Sequence, residues 1–229
     1  MRKLFVALVV LLALVVGADR LAAHLAGSAV AARLRSTAGL ALDPHVTVTG
    51  FPFLTQALAG RYDRIAVEAG GLTRGGVRLS RLHVDLLGVR LPAGQALSGR
   101  VRSVPVEGLR ATVTVAYADL AHGRDGIVVR PLPGNQVAVS GRLSVLGLTV
   151  TASTRSSVTL EGRTLVVTAR SLSVDGVGNP LVDRAVAGLL DLRIPLGTLP
   201  YGLRLTGVRI TAAGAVVDAV SGPTVLTAR

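Results

Sequence analysis

Residues 109–117 read Leu-Arg-Ala-Thr-Val-Thr-Val-Ala-Tyr, with Leu109, Ala111, Val113, Val115 and Tyr117 at odd positions and Arg110, Thr112 and Thr114 between them. Successive side chains of an extended chain point to opposite faces, so this segment reads as a half-buried strand. The same two-residue period recurs upstream at 45–49, 62–68 and 77–86. It recurs downstream at 127–129, 137–139, 143–150, 158–160 and 165–167, and again at 203–205, 208–210 and 216–217. Pro133-Gly134 and Glu161-Gly162 punctuate the run as turns. A long antiparallel meander is the expectation. Within 77–86 the apolar positions switch from odd through Leu79 to even from Leu82, which predicts a β-bulge near Ser80 and Arg81.

Helical spacing occurs near the two ends. From Asp19 to about Thr37 the chain is Ala-rich, with Leu21, Leu25, Ala29, Val30 and Leu34 along one side, and it reads as a helix that packs on the edge of the body or lies on a membrane surface. At the other end Asn179 caps, Pro180 takes the first helical position, and Leu181, Val182, Ala185, Val186, Leu189 and Leu190 make an apolar stripe, predicting a second helix near 180–190. Pro52 breaks the strand pattern after Thr49, and a helical turn ending at Gly60 follows. No linker separates the pieces, so residues 19–229 read as a single domain of the α+β class.

Half of the residues are apolar and the formal charge is +12. All of the 25 basic residues except Lys3 are arginine; removing the first 18 residues, which hold Arg2, Lys3 and no acid, lowers the excess by only two. Arginine pairs bidentately with phosphate, which allows lipid head groups, nucleic acid or simple solvation. The arginines are scattered and only three Phe and three Tyr accompany them, a pattern that argues against nucleic acid. There is no cysteine, hence no disulfide and no thiolate metal site. Met-Arg-Lys precedes an uncharged run at 4–18, LFVALVVLLALVVGA, which has the build of an export signal, cleaved after Ala18 or retained as an anchor. Either way the expected location is outside the cytoplasm, in the periplasm or cell envelope.

Motifs for covalent chemistry are missing. The four histidines, His24, His45, His83 and His122, have no metal-ligand spacing. His83 and Asp85 share a strand face and are the best acid–base candidates, but Arg81 lies on that face too, so a solvated polar face is the expectation. His122 falls in a polar turn. No nucleophile elbow, P-loop or dinucleotide fingerprint is present, and no cofactor or enzymatic activity is expected. One unusual segment remains. Phe51, Phe53 and Leu54 cluster in proline-bearing irregular backbone, either a plug closing the core or the mouth of an apolar cavity, with Arg61 and Arg64 near enough in sequence to hold a lipid phosphate.

Gly50-Phe-Pro-Phe-Leu-Thr-Gln, followed by Ala59-Gly-Arg-Tyr-Asp-Arg-Ile, resembles the signature of the LmeA-like family of actinobacterial envelope proteins. Leu199-Pro-Tyr-Gly-Leu-Arg-Leu-Thr-Gly-Val and Gly214-Ala-Val-Val give a second match. The resemblance implies an exported phospholipid-binding protein whose TULIP-like fold is a strongly curved antiparallel sheet wrapping a helix around an apolar cavity. It directs lipid binding to the signature segments: Phe51, Phe53, Leu54, Leu58, Arg61 and Arg64 in the first, Leu199 and Tyr201 in the second. It further implies a membrane-surface partner and a place beside enzymes that assemble envelope glycolipids. A scaffold for such enzymes, with a filled core and no lipid, is the alternative.

Overall fold

The computed structural model describes residues 2–38, 44–74, 77–98, 101–120, 126–145, 148–175, 192–195 and 199–227. In chain order these form α1 (Arg2–Ala38), β1 (His45–Thr49), α2 (Phe53–Ala59), β2 (Arg61–Ala69), β3 (Leu72–Arg74), β4 (Val77–Leu79) and β5 (Arg81–Arg90). Then come α3 (Ala93–Ser98), β6 (Ser103–Val106), β7 (Gly108–Val115), α4 (Tyr117–Leu120), β8 (Ile127–Leu132), β9 (Gln136–Val145) and β10 (Leu148–Glu161). The last elements are β11 (Thr164–Asp175), β12 (Leu192–Pro195), a 3-10 turn (Pro200–Gly202), β13 (Arg204–Thr211), β14 (Gly214–Ser221) and β15 (Thr224–Thr227). The class is α+β, with one long N-terminal helix and sheets that are mostly antiparallel. The second helix expected near 180–190 lies outside the described residues.

The chain divides into two compact units. The first comprises Met1–Gly71, Leu82–Ala111 and Ser221–Arg229. Its sheet order is β1-β2-β5 followed by the first half of β7, with β6 and β15 as a separate antiparallel pair. Val46, Val48, Phe53, Tyr62, Val89, Val106 and Leu109 are buried in it. The second unit, Leu72–Arg81 and Thr112–Val220, holds the rest of β7 with β14 and β13, the β3-β4 hairpin, and the antiparallel meander β8-β9-β10-β11-β12. Val137, Val158 and Leu165 centre its core, with Tyr117, Val129, Val139, Val167, Val208 and Ile210 packed around them. Asn135, at φ 59, fastens this core: its amide donates to the carbonyls of Val158 and Val208 and accepts from the Ile210 amide.

Three local expectations are corrected. The phase slip at Ser80 is a break between two strands, not a bulge within one: β4 pairs with β3, β5 pairs with β2, and Ser80 is the bend between them. Bulges fall instead at Arg155/Ser156 in β10 and at Leu205/Gly207 in β13, where 203–205 and 208–210 join into one strand.

α1 is continuous through the junction at Ala18 and Asp19, and its packing face is not the leucine stripe. Asp19, Ala23 and Gly27 are buried, while Leu21 and Leu25 face outward. Spaced by four, the three buried residues form one face of small side chains. A Cβ on Gly27 would run into the backbone carbonyl of Val46, so the helix meets β1 at backbone distance and covers an edge strand. A leucine on that face would hold the helix away.

Candidate functional site

From Arg2 to Ala18 no residue of α1 is buried; Asp19 is the first, at 2% exposed. The helix therefore has a free apolar half and a docked half, divided by packing rather than by a break in the backbone. By length and hydropathy the stretch Arg2–Ala32 could cross a bilayer, a test that a signal sequence near the N-terminus also passes.

The docked half grips the Gly50–Gln56 signature at its first turn. Pro52, at the N-cap position of α2, offers no side-chain acceptor, and Asp19 supplies one from another helix: its Oδ1 accepts from the Leu54 amide at 2.9 Å. Arg20 donates to Asp19 Oδ2 and to the Gly50 carbonyl, both at 3.0 Å, and its guanidinium lies 4.9 Å from the Phe51 ring centroid.

Each signature position has a local task. Gly50 sits at φ +125 against the Gln56 side chain, where a Cβ would collide. The Phe51-Pro52 bond is cis, and the Pro52 carbonyl accepts from Thr55 Oγ1. Gln56 Oε1 accepts from the Asp63 amide, tying α2 to β2. Gly60, at φ 63, ends α2 by donating to the Ala57 carbonyl.

The expected site residues divide into distinct sets. Phe53 is 7% exposed and stacks on Tyr62 with ring centroids 6.1 Å apart, so its ring belongs to the core; burial also raises the Tyr62 hydroxyl pKa. Phe51, Leu54 and Leu58 are exposed at 61%, 43% and 85%. Leu54 and Leu58, four apart, share the outer face of α2. Phe51 and Leu54 meet the Asp19–Arg20 junction, and Leu58 lies a turn further along α2.

Arg61 and Arg64 are not brought together: three apart on β2, they lie on opposite faces. Arg61 instead converges with its register partner Arg90, and both donate to Glu107 Oε1, at 2.9 and 3.1 Å. Arg90, followed by Arg61, holds the Glu107 carboxyl below its usual pKa. Sequence spacing hid Arg90; only the antiparallel register of β2 and β5 places it beside Arg61. Arg64 stands 3.8 Å from Asp85 Oδ1, beyond hydrogen-bond reach. Asp85 Oδ2 lies 3.4 Å from His83 Nε2, and His83 Nδ1 lies 3.2 Å from Glu68. The expected polar face at His83 is thus a partly buried row of polar side chains along β2 and β5. His122 lies outside the described residues, and among those described no cluster of three His, Cys, Asp or Glu could hold a metal ion.

Leu199 and Tyr201 belong to the second unit. Leu199 is extended ahead of the 3-10 turn, and Tyr201, 41% exposed, has φ 58 and ψ 26, with Gly202 at φ 68 beside it. Two successive positive φ values with a Leu203 amide bond to the Pro200 carbonyl make a mirror-image turn, whose first central position is costly for a tyrosine.

A helix whose exposed apolar half ends at a clamp on the Gly-Phe-Pro-Phe-Leu signature, attached to antiparallel β-units, defines an α+β protein with an N-terminal apolar segment. The profile of the LmeA-like phospholipid-binding family matches residues 17–220, most of the chain, and the chain belongs to that family. The match begins two residues before Asp19, where the docked half of α1 begins. No curated protein and no solved structure matches the chain significantly. The family's description is one of binding, not of catalysis.

Proposed function

We propose that this chain binds phospholipid non-covalently in the cell envelope, outside the cytoplasm, and catalyses no reaction on it. The observation that carries the reading is the family match across 17–220, joined to the exposed apolar set Phe51, Leu54 and Leu58 held beside the free half of α1. Acyl chains contribute about 0.8 kcal/mol for each CH₂ withdrawn from water, and an arginine pair suits a lipid phosphate. Arg61 with Arg90 is the converging pair, and Glu107 is the counter-charge that a phosphate would exchange for. Residues 19–229 act as a single lipid-binding entity in this reading. A sheet curved around an apolar cavity is the architecture it calls for, with Leu199 and Tyr201 as further lipid contacts. Lipid leaving a bilayer was already in hydrocarbon, so transfer, where it occurs, depends on an opening at the membrane surface.

The test is photo-crosslinking of the full chain with a phospholipid carrying a diazirine in its acyl chain, followed by peptide mapping. Crosslinks at 51–58 and around Tyr201 are expected. Crosslinks confined to residues 4–18 would reduce the chain to a membrane-anchored body that takes up no lipid, the arrangement expected of a scaffold for glycolipid-assembly enzymes.

A further inference from the structure

We infer that the outer face of α2 is a bilayer-docking surface, seated in the interface of an anionic phospholipid membrane at the level where the free half of α1 leaves it. This rests on lipid being what the segment meets, and it adds which residues meet the bilayer and at what depth.

The free half of α1 exposes Leu4, Phe5, Leu8, Leu11, Leu12 and Val15 with nothing packed against them. Fifteen residues at 1.5 Å rise carry this apolar surface about 22 Å. Its end is fixed in space by the Asp19–Leu54 hydrogen bond and the Arg20–Phe51 contact. Phe51 and Leu54 therefore cannot sit more than about a helical turn from the level at which the apolar run stops. At that level they are exposed, and Leu58 continues the same face of α2. A short helix with two leucines outward and an exposed phenylalanine just ahead of it suits the boundary between head groups and acyl chains.

The flanking charges fit the same occupant. Arg20, Arg61 and Arg90 have 48%, 61% and 59% of their side chains open to solvent. Arg20 sits beside Phe51, and Arg61 follows directly after the Gly60 cap of α2. Cations around an apolar patch match anionic head groups around an acyl interior. A second copy of the chain would have to cover apolar side chains rimmed by its own like charges.

Because the chain contains no cysteine, single labels are clean. Leu58→Cys, at a side chain that is mostly exposed, is labelled with an environment-sensitive fluorophore, and the full chain is reconstituted into phosphatidylglycerol-containing vesicles. The expected result is blue-shifted emission, quenching by lipids brominated near the head-group end of the acyl chain, and protection from aqueous iodide. Arg61→Gln with Arg90→Gln should diminish that quenching in anionic vesicles. A label open to iodide and untouched by brominated lipid overturns the inference. So does a label shielded from both, which would mean protein covers the face, and a disulfide-linked dimer of Leu58→Cys would identify a second copy. Lipid retained by the purified chain is read separately by mass spectrometry, so failure here leaves the binding function standing, and the converse.

Discussion

Asp19 on α1 caps the amino end of α2 from 35 residues away, through the Leu54 amide at 2.9 Å. A carboxylate at the end of an apolar run thereby positions the family signature. Asp19→Ala should lower the thermal midpoint by about 2–4 °C, in the range of a lost N-cap, and free Phe51 and Leu54 from the junction. Differential scanning calorimetry reads the first effect, and a hydrogen-exchange increase confined to 50–58 reads the second.

Phe53 and Leu58 should part company on truncation. Phe53→Ala removes a ring packed on Tyr62 and should cost about 3–5 kcal/mol in denaturant unfolding, as large-to-small core changes do. Leu58→Ala should change stability by no more than about 0.5 kcal/mol while reducing retained lipid. Equal effects of the two on stability would place Leu58 in a packed environment and remove it from the lipid surface.

Gly17 and Gly27 occupy the two halves of one helix and should respond oppositely to alanine. Nothing lies within 4 Å of a Cβ added at Gly17, and Gly17→Ala should favour the helix by about 0.5–1 kcal/mol. At Gly27 the added methyl meets the Val46 carbonyl, and Gly27→Ala should lower the melting temperature despite its better helix propensity. Circular dichroism melts of the two variants make the comparison.

Glu107 sets an acid limit. Its carboxyl is held below the ordinary value of 4.5, chiefly by the Arg90 hydrogen bond and the Arg61 charge. A depressed folded-state pKa stabilises the fold fully above the unfolded value, and that contribution is lost as pH falls through the lowered one. Wild-type melting temperature should therefore drop between about pH 5 and the acid side of 4 more steeply than that of Glu107→Gln. Parallel pH profiles for the two would show that the Arg61–Glu107–Arg90 bridge contributes nothing to stability.

Tyr201 holds a backbone conformation that asparagine tolerates better. Tyr201→Asn should leave the melting temperature equal or higher and reduce lipid retention. A lower melting temperature with lipid unchanged would make the tyrosine a packing residue.

Much of this was readable from alternation. The strand at 109–115 follows a two-residue pattern, with Leu109, Ala111 and Val115 buried and Arg110 exposed between them, whereas in the meander Leu165 and its neighbour Val166 are both buried. The turn at Gly60 was equally plain, since few residues but glycine accept its φ. What alternation could not show is which neighbour a strand chooses, so Arg90 beside Arg61 was invisible, and a break between β4 and β5 looked like a bulge. Helix periodicity misled at α1 for a different reason: leucine marks an apolar face, but closeness to a strand backbone demands small residues, and Ala23 and Gly27 took the contact. Asp19 looked like the first residue after an export run; its role as a remote cap depends on Pro52 lacking a side-chain acceptor, a relation only the fold supplies.

Native mass spectrometry of the purified full chain in mild detergent, with parallel lipid extraction, bears most directly on the central claim. The account predicts phospholipid bound at fixed stoichiometry, and its loss from Arg61→Gln/Arg90→Gln and from Leu54→Ser/Leu58→Ser while both variants remain folded. A chain free of phospholipid across mild preparations, or one whose bound lipid is indifferent to both pairs of substitutions, would contradict it.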